Sequence, residues 1–251
     1  MTEPTPIGPD VWGEMQRVLA IAEKQNVDPT ADPPEETVSA IIALTLARTG
    51  LSPRERTATI SRIPREVSSR MPADVIDPML TGNLSSRGFG LSGGAGVGKT
   101  FAIAAHIVNA ISIGVRKRVV AGSLTVPTTV EWVSWPEAIN QIRTTSIADR
   151  GLEDVARTVN RISHARVAVI DDIGSERIKG SYNEDWAASQ LDLIVDARYR
   201  AMLPTFYTTN LALDAFVRRY GQRFYSRLCG ENTMIVIPDA DDLRIRGRRA
   251  R

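Results

Sequence analysis

The sequence predicts an α/β fold: a three-layer domain with a mostly parallel central sheet, preceded by a small helical N-terminal region. From about residue 86, short apolar segments alternate with segments of helical periodicity, which is the pattern of strands and crossover helices in a parallel sheet. The segment "RVAVIDDIG" is a continuous apolar run, as expected for a strand covered on both faces. Before this point only helical periodicity is visible.

Three short helices are predicted before the sheet. The first lies in "PDVWGEMQRVLAIAEKQN", where apolar residues recur on one face. The second, "PPEETVSAIIALTLARTG", begins after a proline pair and ends at Gly50. The third, "SPRERTATISRIPREV", begins with Ser52 as N-cap and Pro53 at the first helical position.

The alternation continues to the end of the chain. Strands are predicted in "RGFGLSG", "TTVEWVSW", "RVAVIDDIG", "PTFYTTN" and "TMIVIP". The first crossover helix, "FAIAAHIVNAISIG", is apolar all round and is expected to end at Gly114. Further helices are predicted in "PEAINQIRTT", "GLEDVARTVNRISHA", "DWAASQLDLIVDARYRA" and "LALDAFVRRYGQRFYSRLC", the last broken near Gly221. Five side chains are expected to be structural or core: His106, His164, Trp132, Trp135 and Trp186.

Composition excludes several classes of protein. The 251 residues are 43% hydrophobic and 24% charged, which is typical of a globular chain. No apolar run approaches the roughly 18–20 residues of a membrane span, and the first residues lack the basic and apolar regions of a signal peptide, so a cytoplasmic location is predicted. Cys229, the single cysteine, excludes an intrachain disulfide. The C-terminal "RIRGRRAR" is either a solvated end or an arm that contacts a nucleic-acid backbone.

The segment "GGAGVGKT" predicts a nucleotide-binding loop. It matches G-x-x-x-x-G-K-[ST] and stands between a predicted strand and a predicted helix. Glycines allow backbone N–H groups to surround a phosphate, at which the helix aims its positive end. Lys99 is expected to reach the β- and γ-phosphates of ATP, and the Thr100 hydroxyl to complete a Mg²⁺ shell. The residues expected to bind the nucleotide are Gly93, Gly94, Ala95, Gly96, Val97, Gly98, Lys99, Thr100 and Phe101.

Polar residues follow later apolar strands. Asp171 is placed to hold Mg²⁺ through water and Asp172 to orient or deprotonate the attacking water, although an acidic pair can also simply solvate a strand end. Asn210 can contact the γ-phosphate or the water, or can cap a turn. Arg223 and Arg227, four residues apart, share one helical face. Either one of them compensates the charge that develops on the γ-phosphate, or the two simply form a solvated basic face.

In this order, the segments resemble the AAA+ ATPases of the bacterial helicase-loader group, the DnaC and DnaI type, with the related IstB-type transposition ATPases. The most specific signs are "VIDDIG", "LIVDARYRAMLPTFYTTN" and "YGQRFYSRL", and the similarity covers about residues 75–244. The resemblance implies a helical partner-binding region at 1–75, a P-loop AAA+ ATPase domain at 76–244 and a basic tail at 245–251.

The resemblance also implies a function. A member of this group hydrolyses ATP with Mg²⁺, forms a homo-oligomer on ATP binding, binds DNA, with single-stranded DNA favoured over duplex, and acts on a replicative helicase or a transposase. Residues of this chain that match functional positions are Lys99, Thr100, Asp171, Asp172, Asn210 and Arg223 or Arg227, with Arg244 as a second nucleotide sensor. Residues 136–165 match a DNA-contacting helical insertion, with candidates Arg143, Arg150, Arg157 and Arg161.

Three departures from the group bear on this expectation. Asp172 stands where the group usually has Glu, so its carboxylate is one methylene shorter and hydrolysis is expected to be slow or assembly-dependent. An ATP-switched DNA-binding module with little turnover therefore stays open, whereas the later motifs disfavour a small-molecule kinase. The link "RKRVVAGSLTVPTTV" is longer than usual, and the N-terminal region lacks zinc-binding cysteines, which leaves the partner open.

Overall fold

A five-stranded sheet forms the centre of the protein in the computed structural model, which describes residues 34–84, 87–123, 130–147, 151–176, 181–230, 232–238 and 243. The strands are β1 (Phe89–Ser92), β2 (Val130–Ser134), β3 (Val167–Ile173), β4 (Thr205–Thr209) and β5 (Thr233–Val236). They lie in the order β2-β3-β4-β1-β5, and each of the described pairings is parallel. The predicted α/β class with a mostly parallel sheet is confirmed.

Helices connect the strands and precede them. Their bounds are α1 (Glu35–Ala47), α2 (Arg65–Ser68), α3 (Ala73–Thr81), α4 (Lys99–Val120), α5 (Trp135–Ile147), α6 (Gly151–His164), α7 (Ser181–Arg200), α8 (Leu213–Tyr220) and α9 (Gln222–Gly230). None of the helices in the described ranges combines the length and the apolar character that crossing a bilayer requires.

The two faces of the sheet are buried in separate cores, which explains the continuous apolar run of β3. Val167 and Val169 face a core shared with α1 and α4, whereas Ala168 and Ile170 face a core shared with α5 and α7. Successive side chains of a strand point to opposite faces, so a strand covered on both sides must be apolar throughout. The core shared with α1 and α4 also includes buried residues of the segment 34–84. A domain division near residue 75 stays a prediction.

The helix after the glycine loop is longer than predicted. It continues through Gly114 to Val120, and Gly122 follows its end. A Cβ at Gly114 would meet nothing within 4 Å, so this glycine answers no packing need. Apolar residues on either side, Ala110 and Val115 among them, are buried, and tertiary burial of this kind outweighs the weak helix propensity of one glycine.

The third predicted helix is also different. Ser52 and Glu55 do form the reciprocal bonds of a capping box, with Ser52 N–H donating to Glu55 Oε2 at 2.7 Å. However, two 3₁₀ turns follow, Glu55–Thr57 and Ile60–Arg62, and the end of the segment belongs to the separate four-residue helix α2. Ala58 is extended with ψ 139°, and Pro64 excludes the helical conformation of the residue before it. The third predicted helix was therefore wrong as a continuous helix, and α3 was not predicted. The first predicted helix lies outside the described residues.

His106 and the tryptophans occupy the expected structural positions. Trp132 and Trp135 are buried, and Trp186 packs against the core. His106 is fully buried between Phe89 and Phe206, with ring centroids 5.9 and 5.2 Å away. Neither of its ring nitrogens has a hydrogen-bond partner among the described residues, and burial lowers the pKa of His106 to about 4.

This histidine makes the fold sensitive to acid. The unfolded chain binds a proton at His106 near its ordinary pKa of about 6.5, whereas the folded chain does not until about pH 4. The free energy of unfolding should therefore fall by roughly 2–3 kcal/mol between these pH values. His106→Leu should flatten this pH dependence in denaturant titrations, whereas His164→Leu, at an exposed position, should leave it unchanged. An equally steep loss in His106→Leu would contradict the assignment.

Candidate nucleotide site

The glycine loop, the acidic pair and Asn210 meet at the carboxyl ends of three neighbouring strands. Strands β1, β3 and β4 are adjacent and parallel, so the segments that follow them emerge at one edge. The glycine loop follows β1, the acidic pair ends β3, and Asn210 follows β4. These segments line a cleft with a volume of about 500 Å³.

The glycine loop has a backbone that only glycine adopts readily. Gly93, Gly96 and Gly98 have φ values of 155°, 78° and 103°. A Cβ at Gly98 would also lie 2.6 Å from the Pro64 side chain. Gly98 directly precedes α4, whose first N–H groups and positive end face the loop. The loop therefore has the conformation and the helix placement of an anion-binding turn.

The ammonium group of Lys99 lies at the centre of the site. Its Nζ donates to Gly93 O at 2.8 Å, to Gly94 O at 2.7 Å and to Asn210 Oδ1 at 2.7 Å. Lys99 is buried despite its charge, and a buried ammonium is stable only when oxygens surround it. These contacts join the loop after β1 to the residue that follows β4.

Asp171 is held by two hydroxyl groups. Thr100 Oγ1 donates to Asp171 Oδ1 at 3.0 Å, and Thr208 Oγ1 donates to the same oxygen at 2.7 Å. Burial raises the pKa of Asp171 to about 6, against the opposing effect of the two hydroxyl groups. Glu55 and Asp172 raise this pKa further through their negative charges. The site is thus electrostatically prepared for a cation.

A bulge in β3 brings both aspartates to the cleft. Ile170 pairs with Tyr207, but the next pairing is Ile173 with Thr209, so β3 has one residue more than β4 in this interval. Asp172 adopts a left-handed conformation with φ 64°, which Asp tolerates better than most residues. Neighbouring side chains of a regular strand would point to opposite faces, whereas here Asp171 and Asp172 both line the cleft.

Asn210 connects the basic and acidic parts of the site. Its Oδ1 accepts from Lys99, and its Nδ2 donates to Asp172 Oδ1 at 2.8 Å and to Ser175 Oγ at 3.1 Å. Ser175 in turn donates to Asp172 Oδ1 at 2.6 Å. The amide therefore orients the carboxylate of Asp172 and the ammonium of Lys99 relative to each other.

The donor set fits a magnesium–nucleotide complex. The Thr100 hydroxyl and the Asp171 carboxylate are hard oxygen ligands of the kind that Mg²⁺ prefers. They adjoin a loop whose glycine backbone and lysine suit phosphate groups. Asp171 is partly buried, and its ionised form, which burial disfavours, would be stabilised by a cation. These features suit a nucleotide with Mg²⁺ at this position.

Sequence reasoning missed several lining residues. Thr208 belongs to the polar end of "PTFYTTN", but its bonds to Asp171 and to the Asp172 N–H, the latter at 2.8 Å, depend on the sheet register. Arg54, Glu55 and Arg62 line the cleft from the linker before the sheet. No local sequence pattern marks these three linker residues, because they reach the cleft only through the tertiary packing of the segment before the sheet.

The two candidate arginines of α9 differ in their environment. Arg227 is 12% exposed and pairs with Asp192 at 3.2 Å and Asp196 at 3.1 Å, both on α7. Arg223 is exposed and forms no ion pair with another described residue. Neither is among the described residues that line the cleft of the same chain.

The candidate DNA-binding arginines are only partly visible. On α6, Arg157 is exposed, and Arg161 pairs with Glu131. Arg150 and the side chain of Arg143 lie outside the part of the chain that the structure describes. Arg244 does as well, but its neighbour Leu243 donates its backbone N–H to Gly96 O in the glycine loop at 3.2 Å.

Comparison with known proteins gives similarity of structure only. No family model matches the chain, and no curated protein matches it. The DnaC helicase loader superposes with a TM-score of 0.50 at 21% identity, covering 74% of this chain and 99% of that one. DnaI superposes with a TM-score of 0.50 at 19% identity, covering 77% and 94%.

A third solved structure, a Streptococcus pyogenes serotype M3 protein described as a primosome component, gives a TM-score of 0.52 at 19% identity and covers 80% of this chain and 97% of that one. At identities this low, structural likeness establishes the fold only, and the activity has to be argued from the residues of the site. The expected resemblance is confirmed at the level of fold: this chain has the same α/β fold as the solved DnaC and DnaI helicase-loader structures.

Proposed function

We propose that this protein is a Mg²⁺-dependent ATPase that assembles on DNA and loads a replicative helicase. The observation that carries the proposal is the hydrogen-bonded connection of Lys99, Asn210 and Asp172 beside the Thr100–Asp171 pair. A phosphate-binding group, a metal-binding pair and a carboxylate for water thus meet at one edge of the sheet. Structural likeness to a helicase loader and to a protein described as a primosome component supports the partner class.

The residues divide the work of hydrolysis between them. The glycine-loop N–H groups and the Lys99 ammonium bind the β- and γ-phosphates of ATP, while Thr100 and Asp171 hold Mg²⁺. Held by Thr100 and Asp171, a Mg²⁺ ion would supply positive charge that offsets the negative charge developing on the phosphates. Asp172 accepts a proton from the attacking water, and Asn210 orients Asp172 through its amide.

Assembly on DNA supplies what a single chain lacks. Arg227 is neutralised by two aspartates of its own chain, so we assign the intersubunit arginine to Arg223, which is exposed. Placed against the ATP of a neighbouring subunit, Arg223 compensates the charge on the γ-phosphate. Arginines of the segment 136–165 contact DNA phosphates, and residues 1–75 select the helicase in the cytoplasm.

A second candidate function follows from the chemistry of Asp172. Its side chain is shorter than the usual Glu and is already engaged by Ser175 and Asn210. With water activated poorly, ATP binding alone would switch the protein between two states on DNA, with little turnover. A transposase is the alternative partner in either case, since IstB-type ATPases share the motifs.

Lys99→Ala tests nucleotide binding and loading together. A hydrogen bond to a charged group contributes about 1.5–3 kcal/mol, so affinity for a fluorescent ATP analogue should fall roughly 10- to 100-fold. ATP-dependent capture of the purified replicative helicase of the same cell should be lost in parallel. Lys117→Ala, on the last turn of the same helix, should keep both. Helicase capture that is independent of ATP, or no capture of the helicase by the wild type, would contradict loading.

Asp172→Asn separates binding from hydrolysis. The analogue should still bind, whereas phosphate release, measured with DNA and helicase present, should fall by about a hundredfold or more because the proton acceptor is lost. Asp172→Glu keeps a carboxylate and should retain turnover. A wild-type protein that binds ATP stoichiometrically without releasing phosphate would favour the switch over the ATPase.

Arg223→Ala and Arg227→Ala should affect different properties. Arg223→Ala should keep the thermal stability of the wild type but abolish the ATP-dependent increase in mass measured by light scattering. Arg227→Ala should lower the free energy of unfolding by about 1 kcal/mol, because it removes the ion pairs with Asp192 and Asp196, of which Asp196 keeps a second pair with Arg200. Arg218→Ala, which breaks an exposed pair with Asp214, is the control. Normal assembly of Arg223→Ala would refute the assignment.

A further inference from the structure

Glu176 is a buried carboxylate that the proposed reaction does not use. It lies four residues beyond Asp172, just past the end of β3, and its side chain is 2% exposed. A buried carboxylate is stable only when donors surround it. The donors of Glu176 come from two separate parts of the protein, one on each side.

One oxygen of Glu176 holds the turn that carries the catalytic carboxylate. Gly174 N–H donates to Glu176 Oε2 at 2.8 Å. Gly174 has φ 92°, and a Cβ there would lie 2.5 Å from the Leu211 side chain, so the turn is closely fitted. Between these residues, Ser175 donates to Asp172. The position of the turn therefore determines the orientation of the Asp172 carboxylate.

The other oxygen of Glu176 holds the end of α8. Tyr220 OH donates to Glu176 Oε1 at 2.5 Å, and Arg219 Nη2 donates to the same oxygen at 3.0 Å. The Arg219 guanidinium lies 5.7 Å from the centre of the Tyr220 ring. Burial, and then the charge of Glu176, raise the pKa of Tyr220, so its phenol stays protonated and continues to donate.

The contact lies directly before the helix of the candidate arginines. Tyr220 is the last residue of α8, Gly221 follows with φ 87°, and α9 begins at Gln222. Arg223 is thus three residues from the Tyr220 phenol along the chain. A Cβ at Gly221 would meet nothing within 4 Å, so packing at this glycine does not fix the link between α8 and α9, and the Glu176 contact holds the α8 side of that link.

We propose that Glu176 is a positioning residue that couples the Asp172 turn to the α8–α9 pair, so that the state of the nucleotide site and the placement of Arg223 depend on each other. The inference rests on the proposed ATP binding. Asn210 senses both Lys99 and Asp172, Ser175 connects Asp172 to the turn, and Glu176 connects the turn to Tyr220. Every step in this path is a direct hydrogen bond or one backbone link.

Tyr220→Phe is the most selective test, because it removes one donor and leaves the ring and Arg219 in place. Affinity for a slowly hydrolysed ATP analogue should stay within about twofold, whereas phosphate release should fall about tenfold because the Asp172 carboxylate is held less accurately. Glu176→Gln, which keeps the size but can accept at one oxygen only, should give the same split. Tyr225→Phe, which removes a phenol from the neighbouring helix, is the matched control and should behave as wild type.

Two results would overturn the coupling. A merely structural Glu176 would lower the melting temperature and the analogue affinity together, with turnover per bound nucleotide unchanged. Because Tyr220→Phe and Glu176→Gln weaken the same connection, their effects on turnover should also be less than additive. Fully additive losses would show that the two residues act independently.

Hydrogen–deuterium exchange tests the same inference without hydrolysis. In the wild type, the analogue should slow amide exchange both in the glycine loop, 93–100, and in the helix pair, 213–230. Tyr220→Phe should keep the first effect and lose the second, whereas Tyr225→Phe should keep both. Protection of 213–230 that persists in Tyr220→Phe would overturn the coupling.

The exchange experiment also separates the two proposals. A wild type that shows both protections but releases no phosphate would refute the ATPase and leave the coupling supported. If the wild type fails to bind the analogue at all, nucleotide binding is refuted, and the coupling is refuted with it.

Discussion

The amide of Asn210 is the contact on which the arrangement of the site depends. It accepts from the Lys99 ammonium and donates to the Asp172 carboxylate, so it lies between opposite charges at the start of α4 and at the end of β3. Such a bridge exists only because β1, β3 and β4 are parallel neighbours, which end at the same edge. The sheet order therefore brings together the ammonium of Lys99, the carboxylate of Asp172 and the amide of Asn210, which are distant in the sequence.

Burial gives these charges their strength. Asp171 and Lys99 lie where the dielectric constant is low, so each depends on a few close partners rather than on water. Because each group has so few partners, a phosphate or a cation that binds in the cleft would replace some of the present hydrogen bonds of Lys99 and Asp171. The contacts through Ser175 and Glu176 give such a change a defined route towards α8 and α9.

Conformations that glycine and aspartate tolerate are concentrated around the cleft. Gly93, Gly96, Gly98, Asp172 and Gly174 all have positive φ values. Left-handed backbone is unfavourable for most residues, so it persists where the surrounding structure enforces it. In this protein it turns the loop after β1 and the end of β3 towards one cleft, and places two successive aspartates on the same side.

The sequence by itself determined the α/β class, the strands, and the positions of the glycine loop, the acidic pair and Asn210, because each depends on a local pattern of apolar spacing, glycine or polar strand ends. Only the tertiary structure decided what is non-local. It extended α4 past Gly114, since packing outweighs one weak residue, and replaced a predicted helix by two 3₁₀ turns between prolines. It paired Arg227 with Asp192 and Asp196, and brought Thr208 and Glu176 to their partners. Such contacts join residues 31 to 44 positions apart, a separation over which side-chain spacing carries no information and only the folded register does.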